Sequence, residues 1–265
     1  MPRAGLLLLP ASLAAACGLA LAGRDAGSDA PPRLAFRDDF DGQRPSRRRW
    51  STCHWWARRG CTIASNHELE WYLPGQVRVR RGKLRLVAER RRVRGSDGNI
   101  HPYRSGMISS GPPPGSSRPK FAFRYGRAEI RARVPAGKGL WSAFWLLPAN
   151  RESKPEIDVM EVLGHRRHTL EMHLHYRDGD QVRQRGREWK HLRPGWHTFA
   201  VDWRPGRLTW LLDGEVRWRV RGDAVPRERM YLVANLAVGG DWPGPPSAAT
   251  RFPASLDVDW VKVWR

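Results

Sequence analysis

Between Pro155 and Leu163 the chain carries three carboxylates in an otherwise apolar run, Glu156-Ile157-Asp158-Val159-Met160-Glu161-Val162. Ionised carboxylates are expensive in apolar surroundings, so three of them here need a reason. On a regular strand Glu156 and Asp158 share one face, and a third acid on that face would fall at 160. It falls at 161. A single-residue β-bulge around Val159-Met160 restores Glu161 to the face of the other two, and bulges re-aim side chains beside active sites. Three acids on one face repel, so at least one holds its proton to unusually high pH. A protonated Glu beside an ionised one is the pairing that glycoside hydrolysis requires. The alternative is an acidic patch salt-bridged on a basic surface.

Elements that could position these acids are plain in the sequence. Strand-like runs recur with turn punctuation, and several alternate cleanly, as in Val77-Arg78-Val79-Arg80 and Leu256-Asp257-Val258-Asp259-Trp260-Val261. Period two marks half-buried antiparallel strands. Asp213-Gly214 between two such runs signals a hairpin, and Gly111–Lys120 reads as a loop. Long helical periodicity is missing beyond the N-terminus. Eleven or more strands with hairpin-sized connections predict an all-β sandwich or barrel.

Composition narrows the function classes. The chain has 265 residues, 40% hydrophobic, which suits one sizeable domain. Net charge is +21, and only six of the 47 basic residues are Lys. The Arg residues are dispersed along the chain, which fits solvated faces better than one basic site. A nucleic-acid groove interleaves basic and aromatic residues, whereas the aromatic-rich segments here surround acids, so no nucleic-acid partner is expected. Fourteen Trp exceed what a core hides readily, so some rings belong on a binding surface. Trp141 and Trp145, four apart on one strand face, and Trp242, in the loop GGDWPGPP, are the candidates.

The N-terminus reads as a targeting segment over residues 1–22, followed by a polar tether over 23–33 and one domain over 34–265. Leu6–Ala16 is apolar and too short to span a bilayer as a helix. Two readings of its processing stand. Ala20-Leu21-Ala22 is an A-x-A cleavage site, and the run ending at Cys17 is similar to a lipoprotein signal that would leave a lipid on Cys17. Either way export is expected, with membrane association only through that anchor. Cys53 and Cys61, eight apart, read either as a bridge or as two buried thiols.

The ordered motifs resemble glycoside hydrolase family 16, in its laminarinase-like branch. Glu156–Glu161 is similar to the longer, bulged form of that family's catalytic signature. Asp38-Asp39-Phe40-Asp41-Gly42, Asn66-His67-Glu68-Leu69-Glu70-Trp71-Tyr72, Tyr125–Arg133, Gly139–Leu147 and Asn235–Gly244 resemble further blocks in the same order. The resemblance implies a β-jelly-roll sandwich of two antiparallel sheets with a concave substrate cleft. It also implies a retaining endo-hydrolase of β-1,3- or mixed β-1,3/1,4-glucan, monomeric and needing no catalytic cofactor. Glu156 would be the nucleophile, Glu161 the general acid/base and Asp158 the residue that tunes and orients between them. Trp141, Trp145, Trp242, Asn66 and Asn235 would line the cleft, and His175 would be the cleft histidine near the acid/base. Metal binding by His165, His168, His173 and His175 finds no supporting Cys or carboxylate spacing. Many relatives hold a structural calcium on the convex side through a backbone carbonyl and a C-terminal Asp, to which Gly82 and Asp259 correspond. Two other readings are weighed: the same mechanism on a galactan or sulfated polysaccharide, and a non-catalytic glucan-binding protein, which would dispense with the Glu pair that this chain keeps.

Overall fold

Alternating side chains build two antiparallel sheets in the computed structural model, which describes Met1, residues 32–56 and residues 61–265. The expected targeting segment, the lipidated Cys17 and all but the end of the tether lie outside the described residues. In chain order the strands are β1 Leu34–Asp38, β2 Glu70–Tyr72, β3 Val77–Val79, β4 Leu84–Ala88, β5 Val93–Arg94, β6 Ile100–His101, β7 Tyr103–Ser105, β8 Met107–Ser109 and β9 Gly126–Arg133. They continue as β10 Leu140–Pro148, β11 Glu156–Leu163, β12 Leu170–Asp178, β13 Gln181–Trp189, β14 His197–Arg204, β15 Arg207–Leu212, β16 Glu215–Arg221, β17 Met230–Val238 and β18 Ala254–Trp264.

One sheet runs β13-β12-β11-β10-β17-β8, and the other runs β16-β15-β14-β9-β18-β4-β3 with β1 also paired to β18. This is the all-β sandwich that the strand pattern predicts, divided into more and shorter strands. Asp213 and Gly214 form the predicted hairpin turn between β15 and β16, both at positive φ.

The two sheets share one apolar core. β9 alternates strictly, with Ala128, Ile130 and Ala132 buried and Arg127, Glu129 and Arg131 facing outward. From the other sheet Phe144, Leu146, Ile157, Val159, Met160 and Val162 enter the same core, and Trp203 and Trp210 fill it from the outer sheet. β10, β11 and β17 are buried on both faces, because their second face carries a smaller cluster that includes Met107, Ala143, Trp145, Tyr231 and Val233. That second face is where the acids emerge. Cys53 and Cys61 are joined by a disulfide, Cα to Cα 5.5 Å, which ties down the segment bearing Trp55 and Trp56.

Candidate active site

The off-by-one spacing of the acids is resolved at one point in β11. β10 pairs Trp145 with Asp158, Phe144 with Met160 and Ala143 with Glu161, so Val159 is the extra residue and the register shifts there. Across the other edge Asp158 pairs with His173 and Glu161 with Glu171, with the same shift between them. Val159 and Met160 both enter the core, and Glu156, Asp158 and Glu161 all leave on the opposite face. The backbone carbonyl of Asp158, beside the bulge, accepts a hydrogen bond from Trp210 Nε1 (2.8 Å), which reaches across the core from β15.

The three acids line a cavity of about 560 Å³ together with Trp141, Trp145, Asn66, Asn235, Glu68, Lys154, Trp55 and Trp56. Asp158 offers an oxygen within 4.8 Å of one on Glu156, and one within 4.8 Å of Glu161. Such crowding of buried carboxyls favours the protonated forms. Burial, followed by repulsion from Asp158, raises Glu156 to about 7, even though Lys154 Nζ lies 2.9 Å from its Oε2 and pulls the other way. Burial and then the charge of Glu156 raise Glu161 to about 8, opposed by the hydrogen bond that Trp141 Nε1 donates to its Oε1 (3.1 Å). Burial, followed by the charge of Glu161, raises Asp158 well above the usual carboxylate range; its Oδ2 is buried without a hydrogen-bond partner.

The two β12 histidines divide the acids between them. His175 Nε2 sits 3.6 Å from Glu156 Oε1 and 3.4 Å from Asp158 Oδ2, and burial lowers its imidazole to about 4, so it is neutral near pH 7. It therefore stands at Glu156 and Asp158, not at Glu161, contrary to the expectation from sequence. The histidine at Glu161 is His173, whose Nδ1 is 2.6 Å from Glu161 Oε2. Strand register decides this: His175 is the cross-strand partner of Glu156, and His173 falls beside the bulge.

The opposite wall is held by a hydrogen-bond chain. Trp145 Nε1 donates to Asn235 Oδ1 (2.7 Å), and Asn235 Nδ2 donates to Tyr72 Oη (3.0 Å). Trp145 is only 8% exposed, so its ring is part of the cavity floor rather than a free platform. Asn66 Nδ2 donates to Glu68 Oε1 (2.9 Å), and the Asn66 carbonyl accepts the backbone N–H of Asp241, which fixes the loop carrying Trp242. Trp242 stands outside the cavity wall, 38% exposed, edge-on to Trp141 at 5.2 Å and beside His173 at 5.7 Å. Sequence reasoning missed Lys154, Glu68, Trp55, Trp56 and the contact of His173. Only His173 had a usable signal, since it shares the strand face of His175.

Gly82 and Asp259 do not fit the expected calcium. The Asp259 carboxylate is paired with Lys83 Nζ (2.7 Å) on one oxygen and with Arg131 on the other. Two protein cations occupy the flank where a metal ion would have to bind, and Lys83 and Arg131 also lie over the Trp196 ring.

Comparison with known proteins sets this geometry in context. The family model described as Glycosyl hydrolases family 16 matches residues 66–262. An endo-1,3-1,4-beta-glycanase of Rhizobium meliloti is 30% identical over 227 residues, 81% of this chain. The chain spans about half the length of that relative, 47%. Among solved structures, the endo-beta-1,3-glucanase of Pyrococcus furiosus superposes with a TM-score of 0.76 at 29% identity, covering 88% of this chain and 94% of its own. The laminarinase catalytic domain of Thermotoga maritima superposes at 0.77 and 27% identity, covering 89% of this chain and 99% of its own.

Proposed function

The chain belongs to glycosyl hydrolase family 16, and from that premise we propose that it cleaves β-1,3-linked glucan internally, with retention, in two displacements. The observation that carries the reading is the bulged strand β11, which brings Glu156, Asp158 and Glu161 to one cleft with both Glu residues titrating near neutrality. Glu156 is the nucleophile, Glu161 the general acid/base, and Asp158 the carboxyl between them.

In the first step Glu161 gives its proton to the glycosidic oxygen while a Glu156 oxygen bonds to the anomeric carbon. The glycosidic bond breaks, the leaving chain carries away the proton, and a glycosyl ester remains on Glu156. The ester is neutral. The Glu156 charge that helped hold Glu161 protonated is gone, so Glu161 now favours the carboxylate, the form needed to take a proton from water. Hydroxide equivalent from that water bonds to the anomeric carbon, the ester breaks, and Glu156 leaves as a carboxylate beside a reprotonated Glu161. Lys154, 2.9 Å from Glu156, stabilises that departing charge. Trp141, Trp242, Trp55 and Trp56 offer aromatic surface for pyranose rings, a grip suited to an uncharged polymer.

A charged polymer is the second reading, favoured by the net charge of +21. Product analysis on laminarin, lichenan, agarose and carrageenan separates the two. The expected result is a ladder of gluco-oligosaccharides from laminarin. On that substrate Glu156→Gln and Glu161→Gln each lower kcat by at least ~10³. With an activated glucoside, azide rescues Glu156→Gly as the α-glycosyl azide and Glu161→Ala as the β-glycosyl azide. Near-normal turnover by either Gln variant defeats the assignment of roles.

A further inference from the structure

The contact between His173 and Glu161 is the shortest of those that an imidazole makes with these acids, and the fold makes specific room for it. Glu161 Oε1 receives the indole N–H of Trp141, and Oε2 meets His173 Nδ1 at 2.6 Å. Once ionised, as the water-activating step requires, Glu161 has only lone pairs to offer at that distance, so in that form the nitrogen carries the proton and Nδ1–H donates to Oε2. The two oxygens are then gripped from two different strands, β10 and β12. The His173 ring lies across Gly186 of β13, where a Cβ would stand 2.5 Å from Cδ2 and 2.9 Å from Nε2. Gly186 has no positive φ to explain it. Its lack of a side chain leaves the floor on which the imidazole rests, and Trp242 borders the same ring at 5.7 Å.

We propose that His173 is a positioning residue for the acid/base, donating from Nδ1 to Glu161 Oε2, and that Gly186 is there to seat it. The proposal rests on the retaining reading given above and assigns this chain a determinant of that reaction beyond its three acids. A donor to the carboxylate favours the ionised form, so His173 works against the forces that keep Glu161 protonated. Those forces, and the other charges facing Glu161, come from every neighbouring element. β11 contributes Glu156 and Asp158; β12 contributes Glu171 and the neutral His175. Lys154 lies before β11, and Arg166 after it, tied to both Glu171 and Glu188 of β13. β10 supplies only the neutral Trp141. Within this set His173 supplies the ring donor aimed at Oε2, and with Trp141 it holds Glu161 in one orientation through both half-reactions. It thereby keeps the acid from binding its proton so tightly that the water-activating step would fail.

The test is the pH profile of kcat/KM, whose alkaline limb reports the general acid of the free enzyme. His173→Leu removes the donor, and the limb is expected to move up by about one pH unit, the size of one hydrogen bond to a charged group. His173→Asn places an amide N–H near the position of Nδ1 and should return the limb close to its original place. Gly186→Ala keeps the imidazole but displaces it from an exposed edge strand, so it should move the limb in the same direction as His173→Leu. Circular dichroism checks that each variant is folded. An alkaline limb unmoved in both His173→Leu and Gly186→Ala, or an Asn variant that behaves like the Leu variant, overturns the proposal. Glu161→Gln measured alongside keeps the two readings apart: if it retains wild-type turnover, the acid/base assignment itself fails. If it is inactive while the limb stays put, only the role of His173 falls.

Discussion

At the scale of single residues, the proposed chemistry turns on two carboxyls whose ionisation is set by their surroundings. Glu156 is raised to about 7 and Glu161 to about 8, in each case by burial first and neighbouring charge second. In the proposed mechanism Glu156 is ionised to attack and Glu161 protonated to donate, so kcat/KM is expected to rise as pH climbs through about 7 and to fall above about 8. Interacting groups titrate as a set, so these limbs belong to the cluster of acids. Lys154 lowers both carboxyls. Lys154→Met should therefore shift both limbs to higher pH, the acid limb further, because Lys154 touches Glu156 directly. A profile with its acid limb unmoved in Lys154→Met would show that the ammonium has no part in setting the nucleophile.

At the scale of elements, the bulge in β11 converts a spacing that would turn Glu161 into the core into one that turns it into the cleft. A bulge interrupts ladder pairing, and here the facing sheet compensates through the Trp210 indole, which reaches the Asp158 carbonyl from β15. Trp210→Phe keeps most of the ring in the core but removes that donor. Leaving a buried carbonyl short of a partner costs ~1–3 kcal/mol, or several degrees in Tm for a domain of this size. Thermal melts should show that loss, and laminarin assays a several-fold lower kcat, since the carbonyl belongs to Asp158. A variant that melts like the parent and turns over at the same rate would mean that the bulge holds itself.

Across the whole molecule, charge and aromatic surface suggest different grips on substrate. Net charge is +21, yet the cleft is walled by acids and tryptophans, and Arg183, Arg185 and Arg187 lie at the outer edge of its sheet. The Debye length falls from about 10 Å at 0.1 M to about 3 Å at 1 M salt, so an electrostatic grip collapses over that range while ring stacking survives. Activity on laminarin should be nearly flat with salt. Trp242→Ala, which removes the exposed ring packed on Trp141, should lower kcat/KM on the order of 10²-fold. Turnover of carrageenan that vanishes in high salt, with none on laminarin, would transfer the substrate assignment to a charged polymer.

What could be read from sequence is what the backbone decides within one strand. Period-two alternation in runs such as Arg127–Arg133 and Leu256–Val263 requires half-buried antiparallel strands, and the jelly-roll architecture followed from the family resemblance. The off-by-one spacing of Glu161 likewise required a bulge at Val159-Met160, because side-chain direction along a strand is a local property. What only the tertiary structure decided lies between strands far apart in the chain. Which histidine meets which acid depends on the register of β12 against β11, and a shift of one residue would exchange the faces. Trp210 reaches Asp158 across the core from 52 positions away. Asp259 matches a calcium ligand by position, but Lys83 and Arg131, brought in by the turn between β3 and β4 and by β9, hold its carboxylate instead. The raised carboxyls follow the same rule: three acids can be counted in a sequence, but the burial that keeps their protons exists only once both sheets have closed around them.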